Sequence, residues 1–323
     1  MAPVRIISEQ DVTALMPLED TIFIVEQAFQ QDAENQCISF PVVREAIHQP
    51  HNGVFGIKSG FMSSSAALGL KAGGYWPENF THYGLSNHQS TIVLFDAHTG
   101  RPSALMAANR VTELRTAAAG AIAAKWLASP TAHAVGVIGA GHQALAQLLA
   151  LRTIISIDQI HVWARHKDKA QKFCAHLQEL FDAEIMFGSI ENVVYGADIL
   201  ITATASTEPL VRYDWLRPGV HINAIGSDTK GKHELDPLIF DHALVVVDNI
   251  YQSRSIGELQ SLPANYPIVG TLGEIVAGIK TVKRTLGDIT VFDSTGVTFQ
   301  DLAVAHLILQ RAEQSHRGQM IDL

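Results

Sequence analysis

The sequence predicts an α/β protein, with a doubly wound parallel sheet preceded by a smaller α+β domain. Three observations carry that prediction. From residue 131 onward the strand-like runs "HAVGVIG", "QIHVWA", "ADILITAT", "VHINAIG", "ALVVVD" and "ITVFD" alternate with helical stretches, the pattern of a parallel sheet with crossover helices. The stretch "VGVIGAGHQALAQLLAL", Val135 to Leu151, sets a glycine turn between the first of those strands and a helix. Before residue 131, short extended runs are separated by Gly, Asn and Pro, the texture of antiparallel pairing.

The elements follow in order. "ISEQDVTALMPLEDTIFIVEQAFQQDAENQ" has apolar residues at helical spacing and candidate caps at Ser8 and Asp20, which gives one or two helices. "FPVVREAI", "GVFGIKSGFM", "ALGLKAGGYW" and "QSTIVLFDAHTGRPSALMAA" suggest an antiparallel meander, with "DAHTGRP" as a hairpin turn. "VTELRTAAAGAIAAKWLA" forms a long Ala-rich helix. The last segment, "FQDLAVAHLILQRAEQ", is helical, lies beyond the sixth strand of the parallel sheet, and is a candidate to return to the first domain. The expected domains are 1–125, completed by 300–323, and 126–299.

Composition narrows the function. The 323 residues are 47% hydrophobic and 17% charged, with a formal net charge of -9. That balance argues against nucleic acid or an anionic membrane as partner, since both need clustered cations. An anionic ligand must be met by a few local Arg and Lys residues. Cys37 and Cys174 are the two cysteines, too few for a disulfide framework or a structural zinc site. The absence of a long apolar run argues against a membrane span and for a cytoplasmic protein.

"GAGHQA" supplies Gly139, Gly141 and Ala144 in the G-x-G-x-x-A form of the dinucleotide fingerprint. The first glycine permits a tight turn, the second lets the backbone approach a pyrophosphate, and the alanine allows close helix–strand packing. A glycine triplet alone is also what an ordinary turn shows; its place between a strand and a helix points to a cofactor. The expected cofactor contacts are Gly139, Ala140, Gly141, His142 and Gln143, with Thr204, Ser227 and Arg165. An acid at the end of the second strand would read the ribose of NAD. "HVWARHKDKA" offers Arg165, His166 and Lys167 instead. Arg165 suits a 2′-phosphate and favours NADPH over NADH, whereas stacking on adenine would suit either cofactor.

No serine or cysteine nucleophile elbow, Walker loop or metal-ligand spacing stands out, and no metal is expected. Four cations do stand out in the N-terminal third: Arg44 in "FPVVR", Lys58 in "GVFGIK", Lys71 in "LGLK" and Arg115 in "VTELR". A Lys inside an apolar strand is costly to bury unless paired. Any one of them reads equally as a snorkelling surface side chain; four together suggest an anion pocket. "INAIGSDTKGKHELDP" puts Asp228 just past a strand end, where open α/β sheets place their ligands. A carboxylate there suits proton relay, and equally a turn or helix cap.

The ordered set "GLKAGG", "ALMAANRVTELRTAAAGAIAAKWLA", "VGVIGAGHQA", "INAIGSDTKGKHELDP" and "VFDSTGVTFQDLA" resembles the ornithine cyclodeaminase/mu-crystallin family over nearly the whole chain. That resemblance implies a dimer whose N-terminal domain, completed by the C-terminal helix, binds substrate and forms the dimer. It implies that Arg44, Lys71 and Arg115 hold a substrate carboxylate, that Lys71 and Asp228 are the catalytic proton carriers, and that Thr116, in the "LRTAA" helix start, lies near cofactor phosphate. It also implies a small imino or amino acid as partner, with hydride transfer between a nicotinamide and its Cα. Ornithine-specific members carry an acid where this chain has Gly56, and "KYVNGHP" where this chain has "KAGGYWPEN". Lys58 lies two residues beyond Gly56, on the same face of a strand. An anion lost and a cation gained favour a substrate with a distal carboxylate. "FPVVREAI", "KAGGYWPEN" and "NHQST" are most similar to the iminosuccinate reductase branch. Other ketimine reductases, alanine dehydrogenase, ornithine cyclodeaminase and a mu-crystallin-like NADP-binding protein with little turnover are the alternatives.

Overall fold

An antiparallel run of strands precedes alternating strands and helices, as sequence pattern requires, and a strand that pattern does not announce is added near each end. The computed structural model describes residues 3–48 and 52–322. In chain order its elements begin with β1 (Val4–Ile7), α1 (Glu9–Leu15), α2 (Leu18–Ala33), β2 (Cys37–Ser39), β3 (Val43–Ile47) and β4 (Gly53–Met62). There follow β5 (Ala67–Tyr75), α3 (Asn79–Tyr83), β6 (His88–Phe95), β7 (Pro102–Ala107) and α4 (Asn109–Leu127). The parallel part comprises β8 (Ala134–Ile138), α5 (His142–Leu151), β9 (Gln159–Trp163), α6 (Lys167–Leu180), β10 (Glu184–Phe187), α7 (Ile190–Tyr195) and β11 (Ile199–Thr202). It continues through β12 (His221–Ala224), β13 (Ala243–Val247), α8 (Ile250–Ile256), β14 (Gly270–Thr271), α9 (Leu272–Val276) and β15 (Ile289–Asp293). The chain closes with α10 (Thr298–Gln314) and β16 (Gln319–Ile321). Two compact units result, Met1–Arg115 with Val297–Leu323, and Thr116–Gly296.

Ser8 caps α1 as expected, in a capping box with Asp11. Asp20 does not cap. Pro17 precedes α2 and its fixed φ starts the helix at Leu18, which leaves Asp20 in the first turn, where it accepts a 2.6 Å hydrogen bond from Arg311 Nη2 of α10.

In the first unit β3 to β7 form the expected antiparallel meander. Asp96 closes the β6–β7 hairpin by accepting from the backbone of His98 and Thr99, with Gly100 at φ 72°. β7 pairs in parallel with β1, and β1 antiparallel with β16, so both ends of the chain extend one edge. Strands this short carry too few residues to show alternation. α10 packs on β4, β5 and α2, with Phe299 edge-on to Phe29 at 5.5 Å. Gly60 and Gly69 are register partners beneath it. A Cβ on Gly60 would lie 3.2 Å from Thr298 Cγ2, and one on Gly69 would lie 3.0 Å from Leu302 Cδ2, so this pair lets the helix come close.

In the second unit the sheet is wholly parallel, in the order β10-β9-β8-β11-β12-β15-β13-β14. It has eight strands rather than six. The two additions, β10 and β14, lie at the edges, where "EIMF" and "GT" are too short or too mixed to read as buried strands. The central strands β8, β11, β12 and β15 are buried throughout, as helices on both faces demand. Successive strands run outward in opposite directions from the β8–β11 junction, the switch point at which such sheets bind ligands.

Candidate functional site

The meander brings the four expected cations together. Lys58 on β4 and Lys71 on β5 are register partners, and Arg44 on β3 pairs with Gly56 on β4. Gly56 and Lys58, two residues apart on one strand, share a face, so Arg44 and both lysines share it too. Arg115 reaches them from α4. The electrostatics record this proximity: burial pushes Lys58 down to about 7, and the charges of Arg115, Lys71 and Arg44 push the same way. Burial likewise pushes Lys71 down to about 8, against the opposing pull of Asp301.

Asp301, in the first turn of α10, is the carboxylate set among these cations. Its Oδ1 accepts from Lys71 Nζ at 2.8 Å and from Arg115 Nε at 3.1 Å. Burial opposes its ionisation, but Lys71 and Arg115 outweigh that and hold it below the usual carboxylate range. Its other oxygen, Oδ2, is buried without a hydrogen-bond partner. Gln300 adds a contact from Oε1 to Arg115 Nη1 at 3.0 Å, and Lys71 Nζ also donates to Thr112 Oγ1 at 3.2 Å. The next cross-strand pair on the lysine face is Gly56–Gly73. A Cβ on Gly56 would lie 2.7 Å from the Val43 carbonyl oxygen, and one on Gly73 would lie 2.1 Å from that of Gln89. Close strand approach thus keeps side chains off the floor beside the lysines. The result is a largely buried cluster of basic side chains around one carboxylate, suited to a small anion.

The glycine turn in the second unit fits a dinucleotide pyrophosphate. Gly139 adopts φ 126°, and a Cβ there would lie 2.7 Å from the Ala203 carbonyl oxygen. Gly141 is the N-cap of α5 and brings no side-chain cap. A Cβ on it would meet nothing within 4 Å, so the space over the helix N-terminus is open. The first-turn amides, from His142 onward, have no intrahelical acceptor by the geometry of a helix start, and with the helix dipole they favour an anion. Gln143 Oε1 is buried without a partner, a polar atom that a bound ligand can satisfy. Ala140 is half-buried and His142 exposed. Arg165 stands exposed two residues past β9.

Thr204 and Ser227 lie in the loops after β11 and β12. The Thr204 amide donates to Glu234 Oε1 at 2.6 Å, and Ser227 Oγ donates to the Lys232 carbonyl at 2.9 Å. Thr116 is not at a helix start: α4 begins at Asn109, so Thr116 sits two turns inside, and its carbonyl accepts from Gln147 Nε2 at 2.8 Å. A helix-start amide is therefore not what it offers. Asp228 follows β12 and is half-exposed. Its Oδ1 accepts from Lys232 Nζ at 2.7 Å and from Thr229 Oγ1 at 3.1 Å. Lys232, Glu234, Gln300 and Asp301 were not singled out from sequence. Asp301 alone carried a signal, as an acid opening an otherwise apolar helix, and a helix N-terminus explains such an acid without any partner. Among the described residues no group of His, Cys, Asp and Glu is arranged to hold a metal, and no helix is long and apolar enough to cross a membrane.

A profile of the ornithine cyclodeaminase/mu-crystallin family matches residues 4–316. The chain belongs to that family. Within it, the chain is similar to the iminosuccinate reductase of Paracoccus denitrificans (strain Pd 1222), 39% identical over 324 aligned positions that cover 98% of this chain and 99% of that one. The solved structure of the Paracoccus denitrificans enzyme, in complex with NAD+, superposes with a TM-score of 0.89 at 37% identity, covering 99% of this chain and 100% of that one. An archaeal alanine dehydrogenase, solved as a dimer with bound NAD, superposes with a TM-score of 0.93 at 32% identity, covering 99% of each chain. Family members so alike over their whole length share the α/β architecture, with its nucleotide-binding turn, described above.

Proposed function

We propose that the chain is an NAD(P)H-dependent imino-acid reductase whose preferred substrate is a four-carbon dicarboxylic imine, iminosuccinate, reduced to L-aspartate. The observation that carries the substrate is the Lys58–Lys71 pair, one buried and one partly buried lysine in one cross-strand position beside Arg44 and Arg115. The NAD bound in both solved relatives and the open helix N-terminus at Gly141 support the cofactor. The similarity to iminosuccinate reductase supports the dicarboxylate.

The reduced nicotinamide supplies a hydride when bound. The residues of the chain do the rest. Arg44 and Arg115 hold the carboxylate next to the imine carbon, and Lys58 holds the distal one. Lys71 Nζ, kept charged by Asp301, holds a proton for the imine nitrogen. Asp228, held by Lys232, serves as the second proton carrier. Preformed positive charge orients the anion and lowers the cost of building charge at the reacting nitrogen. The dimeric alanine dehydrogenase supports a homodimer.

Steady-state oxidation of NADH and NADPH with a panel of imino acids tests the reading. Iminosuccinate should give the highest kcat/KM. A higher value for the imine of pyruvate would make the chain an alanine dehydrogenase, and conversion of ornithine to proline would make it a cyclodeaminase. Cofactor binding without turnover of any member of the panel would leave a binding protein.

A further inference from the structure

Among the described residues, four carboxylates with no part in the anion site are buried in the second unit: Asp248, Glu234, Glu258 and Asp293, and the last three form a series. They are linked through backbone amides. Asp293, at the end of β15, accepts from Ser253 Oγ and, at 3.2 Å, from the amide of Glu258. Glu258 accepts from the amides of Glu234 at 2.8 Å and Leu235 at 3.3 Å. Glu234 accepts from the amide of Thr204 at 2.6 Å on one oxygen and from that of Gly226 at 2.9 Å on the other. Each acid thus holds the amide of the next, and the last one ties the loops after β11 and β12 together.

Those two loops adjoin the glycine turn. A Cβ on Gly139 would lie 2.7 Å from the Ala203 carbonyl oxygen and 3.5 Å from Thr204 Cγ2. A Cβ on Gly226 would lie 2.3 Å from the Thr204 carbonyl oxygen. Turn and loops therefore interlock without room for a methyl group, at the switch point of the sheet. Two amides aimed at one side chain need an acceptor at each of two oxygens, which an ionised carboxylate provides. A glutamine turns a donor toward one of them, and a protonated acid leaves a hydroxyl there, a weaker acceptor than a carboxylate oxygen. Burying that charge is costly, and a tie that served stability alone could be made from apolar packing.

We propose that Glu234 is a positioning residue for the dinucleotide: its ionised carboxylate holds the 203–204 and 226–227 loops against the glycine turn in the shape that receives the cofactor. This rests on the nicotinamide reading above. Burial, followed by the charge of Glu258, raises Glu234 to about 7, so the clamp titrates near neutrality. The other ionisable groups around it are Asp293, beyond Glu258, with Asp248 acting on Asp293, and His233, whose Nδ1 lies 3.9 Å from Glu258 Oε2. His233 is itself raised above the usual range by that contact.

The test is the dissociation constant of NADH, and of NADPH in parallel, measured by nucleotide fluorescence on the full chain without substrate between pH 6 and 8.5. Because the raised carboxyl is ionised above about 7 and protonated below, the unaltered chain should bind about tenfold more weakly at pH 6 than at pH 8. Glu234→Gln should bind about tenfold more weakly than the unaltered chain at pH 8, with the pH dependence abolished, since one of two charge-assisted bonds is lost. A Glu234→Gln chain that binds as tightly as the unaltered one, or keeps its pH dependence, overturns the proposal. Should that variant not fold, Glu234→Asp keeps the charge and loses reach: weaker binding with the pH dependence retained supports the clamp, and undiminished binding overturns it. An unaltered chain that binds neither nucleotide at any pH overturns the nicotinamide reading itself, and the proposal with it.

Discussion

Lys58 and Lys71 occupy directly opposed positions in the β4–β5 ladder, and Lys58 is only 8% exposed. Like charges directly across a pair of strands destabilise a sheet, and burial adds to that cost. Asp301 beside them bonds Lys71 and Arg115.

Replacing Lys58 should therefore change substrate choice more than it changes chemistry. Lys58→Met is expected to lower kcat/KM for iminosuccinate by about ten- to a hundredfold, the value of one charge-assisted hydrogen bond at about 1.5–3 kcal/mol. A monocarboxylic imine should be nearly unaffected. If the dicarboxylate preference survives, Lys58 does not hold the distal carboxylate.

The same lysine predicts a pH dependence. A lysine depressed to about 7 is charged below that pH and neutral above it. The value of kcat/KM reports the free enzyme, so the dicarboxylate preference should fall as pH rises from 6 to 8.5. In Lys58→Met the ratio of dicarboxylic to monocarboxylic kcat/KM should be flat. A ratio that rises with pH in the unaltered chain would have the wrong sign.

Asp301→Asn leaves Lys71 and Arg115 buried without their carboxylate. Breaking a buried pair by removing one partner costs about 3–5 kcal/mol, and denaturant unfolding should show a loss of that order. A loss under about 1 kcal/mol, the scale of an exposed pair, would mean that solvent already screens the cluster.

Arg165→Ala should weaken NADPH use much more than NADH use, because the guanidinium can pair with a 2′-phosphate and the diol of NADH offers no such anion. Initial rates with each cofactor decide it. Equal losses would assign Arg165 to adenine stacking.

Asp228→Asn should retain cofactor binding and cut turnover by about a hundredfold or more, the scale for losing a general acid–base. Near-normal turnover would leave Lys71 as the proton carrier.

The parallel sheet was legible because its central strands are mostly apolar and its turn needs glycine at Gly139. The cations Arg44, Lys58, Lys71 and Arg115 were legible one by one, as charges that follow or interrupt apolar runs. Their shared counterion was not, for Asp301 meets Lys71 across 230 residues of chain, and no local pattern encodes that distance. The Glu234–Glu258–Asp293 series was hidden for a different reason. Each acid taken alone looks like a turn or strand-end carboxylate, and the property that distinguishes it, an amide held from elsewhere, belongs to the folded backbone. Gly56 shows the reverse case. Its meaning seemed to be a missing acid, yet the Val43 carbonyl 2.7 Å from a would-be Cβ ties it equally to strand approach.

The dependence of the lysine face on α10 also sets an order in time. Residues 116–296 form one uninterrupted unit, whereas the other unit is split around it. The first unit, although begun earlier, lacks the carboxylate for Lys71 and Arg115 until residue 301 has emerged. Domains that fold during synthesis usually do so from the N-terminus. Here the unit begun first draws the acid for Lys71 and Arg115 from a segment that follows the whole of the other unit, so its charge pairing cannot be completed first.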